Sequence, residues 1–125
     1  MVLVMMTRKR TIEPDFYTRR GVTRVSPLAR LLVMGLRSYA DDEGRMRGDP
    51  RLIAGALYPC DGPDVHAQIP GWLDELEREK LIERYVVDDE VHIRIVDWYE
   101  HQCVDRPTPS KLPASPQELA NPREA

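Results

Sequence analysis

The stretch Trp72-Leu-Asp-Glu-Leu-Glu-Arg-Glu-Lys-Leu-Ile-Glu-Arg-Tyr85 decides the predicted fold, because a helical pattern changes to a strand pattern within it. Apolar residues at helical spacing are Ile69, Trp72, Leu73 and Leu76. They form one stripe of an amphipathic helix, and the alternation from Ile82 to Ile95, with a polar turn at Asp88-Asp89-Glu90, predicts two paired strands. Pro70-Gly71 leaves two alternatives open: a kinked helix, or a separate turn over residues 64–68 before a helix that begins at Pro70. A helix leading directly into a hairpin is typical of the second half of a winged helix.

The residues before this stretch predict the other helices that a winged helix needs. Ser26-Pro27 is a strong helix start, with a hydroxyl N-cap followed by proline, and apolar positions from Leu28 to Tyr39 keep one face. Gly35 within this helix predicts that another element approaches closely. Asp49-Pro50 repeats the same start for a shorter helix, and residues 45–47 predict a third strand of the wing.

Two short segments complete the local predictions. Glu13 to Tyr17 predicts a brief helix with Phe16 and Tyr17 in the core, and Gly21 is expected to end it. The acidic run at residues 41–44 lacks the spacing of a calcium loop and is interpreted as a solvated turn.

The predicted class is α+β and mainly helical: a winged helix-turn-helix with three to four helices and a two- or three-stranded wing. Residues 1–10 are expected to be a flexible basic arm and residues 11–106 the winged-helix domain. Residues 107–125 are expected to be a disordered tail, because five of these nineteen residues are proline and few are apolar.

Composition excludes several classes of protein. A chain of 125 residues is long enough for one modest core, and its net charge of −3 is ordinary. That total hides an asymmetry, since residues 1–51 carry eleven Lys/Arg and six Asp/Glu, whereas residues 52–125 carry seven and fifteen. The first apolar run is too short for a membrane span or a signal peptide, and two distant cysteines predict free thiols in a reducing compartment.

The sequence offers little for catalysis or metal binding. It contains no glycine-rich phosphate loop or nucleophile elbow, so neither an enzyme nor a cofactor is predicted. Four residues have the chemistry of zinc ligands: Cys60, His66, His101 and Cys103. They include no Cys-x-x-Cys or His-x3–5-His spacing and fall into two pairs far apart in sequence, and we therefore predict no metal site.

Several short motifs in this order resemble a known family. They are Arg10-Thr-Ile-Glu-Pro-Asp-Phe16, Ser26-Pro-Leu-Ala-Arg-Leu-Leu32, Gly35-Leu36, Ala40-Asp-Asp-Glu-Gly-Arg45, Gly48-Asp-Pro50, Leu81-Ile-Glu-Arg-Tyr85 and His101-Gln102. This set is similar to small phage and prophage proteins whose winged helix resembles the amino-terminal domain of DnaD-type replisome organisers and phage replication-initiation proteins. The resemblance implies a cytoplasmic protein of a bacterial host that binds double-stranded DNA as a replication or transcription accessory. It leaves room for a protein partner from the replication machinery or the host and for a homodimer, and it places the expected start near Met6.

A winged helix places its third helix in the major groove and its hairpin against the flanking backbone. The predicted phosphate contacts are Arg8, Lys9, Arg10, Arg19, Arg20, Arg47, Arg51 and Arg94. The predicted base contacts are His66 and Gln68, since glutamine can bond an adenine edge. Acids also crowd the same helix: Asp74, Glu75, Glu77, Glu79 and Glu83. They favour an alternative, in which a non-enzymatic adaptor or inhibitor binds a protein through an acidic winged-helix surface.

Overall fold

The computed structural model describes residues 8–121, which form an α+β structure with a three-stranded antiparallel sheet. A 3-10 helix at Pro14–Thr18 comes first. The α-helices that follow are α1 Arg20–Thr23, α2 Pro27–Tyr39, α3 Pro50–Leu57, α4 Pro63–His66, α5 Ile69–Arg78, α6 Trp98–His101 and α7 Pro116–Ala120. The strands are β1 Arg45–Arg47, β2 Ile82–Val87 and β3 Glu90–Ile95. The predicted α+β class and the third strand are confirmed, and no helix within residues 8–121 combines the length and apolarity needed to cross a membrane.

Side chains cap the helices where the sequence predicted. The Ser26 hydroxyl accepts the Ala29 N–H at 3.3 Å, and the Asp49 carboxylate accepts the Arg51 N–H at 2.9 Å. Near Pro70 the structure agrees with the second alternative in separating the two segments, but the first is the short helix α4, and α5 begins at Ile69, one residue before the predicted start. Glu75 of α5 accepts from both the N–H and the hydroxyl of Ser26, and this contact joins α5 to the start of α2.

The core lies between α2, α5 and the inner face of the sheet. The α5 stripe is buried, and Trp72 is 6% exposed with its ring centroid 5.8 Å from that of Tyr58. Helices α2 and α3 meet at Gly35, where a Cβ atom would lie 2.9 Å from Leu57 Cδ1. The close approach predicted for this glycine is therefore confirmed.

Strand β3 is the centre of the sheet, in the order β1-β3-β2. Ile93 lies opposite Met46 on one side and Arg84 on the other. The hairpin closes through a two-residue turn in which Asp88 and Asp89 have φ of 52° and 65°. Positive φ at both positions is typical of the turn that matches the natural twist of paired strands. This geometry fixes the register of the hairpin.

The structure corrects two predictions near the amino terminus. Phe16 is 1% exposed, as predicted, but Tyr17 is 52% exposed and lies outside the core. Gly21 does not end a helix, because it lies inside α1. A Cβ at Gly21 would lie 3.2 Å from the Glu79 carbonyl oxygen, so the glycine lets α1 pack against the end of α5.

The carboxy-terminal segment is also corrected, since residues 107–121 pack against the sheet instead of being disordered. Ser115 is fully buried and caps α7 by accepting the Glu118 N–H. The Glu118 carboxylate in turn accepts the Ser115 N–H. Arg45 Nη2 lies 2.9 Å from Glu118 Oε2, and the Tyr85 hydroxyl donates to the Pro113 carbonyl at 2.8 Å. Polar contacts with the outer face of the sheet thus order a segment of low hydrophobicity. Residues 122–125 of the predicted tail lie outside the described residues.

Candidate nucleic-acid interface

The predicted basic arm is docked at its described end. Arg8 and Arg10 both bind Asp42, with nitrogen–oxygen distances of 2.6 and 3.1 Å. Arg10 also donates to the carbonyls of Arg37 and Ala40 at 3.1 and 2.9 Å, and its side chain is 4% exposed. The prediction of a flexible arm is therefore wrong for residues 8–10, while residues 1–7 lie outside the described residues.

Asp42 is a buried anchor and not part of a solvated turn. It is 3% exposed, and its carboxylate accepts the Thr108 N–H at 2.9 Å in addition to both arginines. Burial raises the pKa of Asp42, but the Thr108 N–H and the Arg10 and Arg8 guanidiniums outweigh it, so that the pKa lies below its usual value. This carboxylate joins the amino-terminal segment to the carboxy-terminal one.

Arg19 and Arg20 differ although they are adjacent in sequence. Arg19 Nη2 lies 2.8 Å from Glu13 Oε1 and 3.0 Å from His101 Nδ1. Arg20 is exposed, and no carboxylate within residues 8–121 lies within ion-pair distance of it. Of this pair, Arg20 is the cation without an internal counter-charge.

The predicted phosphate contacts near the wing already have carboxylate partners. Arg47 lies 3.0 Å from Glu90, and Arg51 lies 2.8 Å from Asp49, both as exposed pairs. Arg94, the third of these predicted contacts, lies 2.9 Å from Glu83. The Arg94 and Glu83 side chains are 14% and 9% exposed, so this arginine supports the sheet and is poorly placed for phosphate binding.

The two predicted base-reading residues precede α5. His66 lies in α4, and its Nε2 is 2.7 Å from the Tyr58 carbonyl oxygen. Gln68 is exposed and donates to the Asp64 carbonyl at 3.2 Å. Both side chains are thus engaged with the chain itself, although the glutamine remains open to solvent.

The surface that the winged-helix prediction would place against a major groove is acidic. Its exposed carboxylates from α4, α5 and the wing turn are Asp64, Asp74, Asp88, Asp89 and Glu90. Within this set Asp74 binds Arg84 at 2.6 Å and Glu90 binds Arg47. We call this surface the acidic front. Acids outnumber cations there, and duplex phosphates would be repelled from it.

Three of the cations without a carboxylate partner lie at the opposite end of α5. Arg20, Arg24 and Lys80 are exposed, and none has an ion pair within the described part of the chain. Their neighbourhood is set by two contacts: Arg78 Nη2 reaches the Arg24 carbonyl at 3.4 Å, and α1 packs on the backbone of Glu79. We call Arg20, Arg24 and Lys80 the basic patch. Of these three cations, Arg20 alone was predicted from the sequence, and the approach of residue 80 to α1 depends on tertiary packing.

The four residues weighed as zinc ligands do not come together. Cys60 and Cys103 are exposed free thiols. Within residues 8–121, the one group with three suitable ligand atoms within 4.8 Å of one another consists of Asp97, Glu100 and His101. It contains neither cysteine, so the zinc set is not a single site.

Comparisons of the chain with protein-family models, curated proteins and solved structures found no match. The resemblance to phage replication proteins therefore stays a prediction. The order of the elements and the separation of charge between the basic patch and the acidic front are the features of the chain that bear on function.

Proposed function

We propose that this chain is a winged-helix DNA-binding protein that acts as a phage-type replication or transcription accessory. The order from α2 through β1, α3, α4–α5, β2 and β3 supports a winged helix, because that fold places a hairpin directly after its third helix. The central position of β3 in the sheet agrees with this arrangement. The phage connection rests on the sequence resemblance alone.

The observation that supports DNA binding is the basic patch. It moves the expected phosphate contacts away from the wing, where the sequence predicted several of them. A phosphate that approaches Arg20, Arg24 or Lys80 meets no competing carboxylate partner on those side chains within residues 8–121. At the wing it must displace Glu90 from Arg47 and Asp49 from Arg51. We therefore assign the phosphate contacts to the basic patch, with Lys9, which is also exposed, as a further contact.

A matched pair of double charge reversals tests this assignment. Arg20→Glu with Arg24→Glu changes the basic patch, and Arg47→Glu with Arg51→Glu makes the same change in net charge near the wing. Binding to a random duplex is measured by fluorescence anisotropy at two or more salt concentrations. Wild type should show a log–log salt slope of about −3.6, because each of four phosphate contacts, the three of the basic patch and Lys9, contributes about −0.9.

The outcomes distinguish the two surfaces. We expect the patch variant to lose binding and the wing variant to retain it, provided that both melt close to wild type. If only the wing variant loses duplex binding, the phosphate contacts lie near the wing, as the sequence predicted. If wild type shows no salt-dependent binding to duplex DNA, the proposal is wrong.

A second candidate is an adaptor that binds a cationic protein surface, and the acidic front favours it. The exposed Asp64 and Asp88 suit a charge reversal, since neither has an ion pair within residues 8–121. Glu75 and Glu77 are less suitable, because they bind Ser26 and Arg84. If the chain is an adaptor, neither wild type nor any variant should bind DNA. If it is the DNA-binding protein that we propose, Asp64→Lys with Asp88→Lys should preserve or strengthen duplex binding.

A further inference from the structure

A cavity of about 290 Å³ lies beside α1 and α2, where the end of α5 meets the segment that follows β3. Its lining includes both apolar and charged side chains. The charged and histidine side chains are Arg19, Arg37, Glu79, Lys80, Asp97 and His101. The volume is near the lower limit of ordinary small-ligand pockets.

Arg37 is the unusual member of this lining. It is 5% exposed, and its one hydrogen bond to an acceptor within residues 8–121 is a long one, 3.5 Å to the Thr11 carbonyl. Its guanidinium carbon lies 4.6 Å from the centre of the Phe16 ring. A guanidinium has five N–H donors and remains charged at neutral pH, so most of its bonding capacity is unused.

The surroundings do not neutralise this charge. No carboxylate in the described part of the chain lies within ion-pair distance of Arg37. Burial lowers the pKa of Arg37, and the like charge of Arg19 lowers it further, while Glu13 opposes both effects. Since burial of a charge is costly without a partner, an anion beside Arg37 would be favoured.

The remaining charges in the lining leave an excess of cations. Arg19 is neutralised by Glu13, and Glu79 lies 3.2 Å from Arg78. Lys80 and Asp97 have no ion pair within residues 8–121, and they offset each other in charge. Arg37 is then the uncompensated charge of the cavity.

We propose that this cavity binds a small oxyanion, a phosphate or a carboxylate, with the Arg37 guanidinium as its principal ligand. The planar fork of arginine donates two parallel hydrogen bonds to either kind of anion. Lys80 offers a second N–H donor at the rim, although Asp97 balances its charge. The site shares Lys80 with the basic patch, but its principal ligand Arg37 is buried and lies outside that patch.

The test is a titration of the full chain with inorganic phosphate, followed by NMR of the arginine side-chain N–H signals. Sodium chloride keeps the ionic strength constant, and acetate in a second series distinguishes a carboxylate from a phosphate. We expect the Arg37 signal to shift saturably with one of the two anions and not with chloride. Arg37→Met should weaken binding about tenfold or more, which is the scale of losing hydrogen bonds from a charged donor.

Arg30→Met is the matched control, because Arg30 lies on the same helix and does not line the cavity. It should bind the anion as wild type does. If Arg37→Met does not fold, Lys80→Met at the exposed rim should weaken binding severalfold. The proposal is overturned if the wild-type signal does not saturate with either anion, or if a folded Arg37→Met binds unchanged. Phosphate binding that survives Arg20→Glu with Arg24→Glu would separate this site from the DNA surface.

Discussion

Replacing Asp42 by asparagine should strongly destabilise the fold while almost preserving the shape of the side chain. The carboxylate is buried among Arg8, Arg10 and the Thr108 N–H, and the Arg10 side chain is 4% exposed. An amide leaves the Arg10 charge buried without its partner. Breaking a buried ion pair from one side costs about 3–5 kcal/mol, which for a domain of this size lowers the melting temperature by about 10–20 °C.

Urea and thermal unfolding followed by circular dichroism measure this effect, with Asp49→Asn as the control. Asp49 pairs with the exposed Arg51 and caps α3, and asparagine is an equally good cap. This control should melt within about 2 °C of wild type, because exposed pairs contribute little. A folded Asp42→Asn variant that melts as close to wild type as the control would refute the view that Asp42 is an anchor.

The pH dependence gives the same prediction a second test. The folded pKa of Asp42 lies below its unfolded value, so its contribution is fully present above a pH of about 4 and is lost as the pH falls through the folded value. The stability difference between wild type and Asp42→Asn should therefore be largest at neutral pH and should shrink in acid. A difference that is constant from neutral to acidic pH would contradict the assigned role of the charge.

Three further predictions concern the core, the carboxy-terminal segment and a tyrosine. Trp72→Ala should cost about 3–5 kcal/mol in chemical denaturation, since the indole is buried against Tyr58. Deleting residues 107–125 should lower the melting temperature by several degrees, because it removes the buried Ser115 and the Glu118 partner of Arg45; an unchanged value would mean that the segment does not pack. Burial, followed by nearby carboxylates, raises the pKa of Tyr85 to about 12; burial also raises the pKa values of Tyr39, Tyr58 and Tyr99, so Tyr85→Phe should remove one of several late phenols in an alkaline absorbance titration. The Tyr85 contribution to stability should be present below a pH of about 10 and be lost as the pH rises towards 12.

The sequence correctly predicted those helices, strands and contacts that depend on residues close together in the chain. The Ser26-Pro27 start of α2, the Gly35 contact and the β2–β3 hairpin follow from capping, size and alternation, and the structure confirms them. Tyr17 was predicted wrongly because a short 3-10 helix buries a single side chain. Adjacent aromatic residues cannot both face inward there.

The candidate site was harder to predict because ion pairing depends on residues that are distant in sequence. Asp42 lies in an acidic run whose composition is that of a solvated turn, yet its hydrogen bonds with Arg10 and Thr108 make it a buried anchor. The carboxy-terminal segment looked disordered because composition measures apolar content, whereas Glu118 orders it by binding Arg45. Charge patterns in a sequence therefore predicted how many cations exist but not which of them are free to bind phosphate.

The central position of β3 also has a consequence for the order of folding. Strand β1 pairs with β3 alone, and helices α3, α4 and α5 lie between Arg45 and its partner Arg94 in the sequence. Strand β2, in contrast, is joined to β3 by a two-residue turn. Closing the longer loop costs more chain entropy, so the β2–β3 hairpin should form first and β1 should join the sheet late. Substitutions at Met46 should then speed unfolding and leave the folding rate nearly unchanged, while substitutions in the hairpin should slow folding.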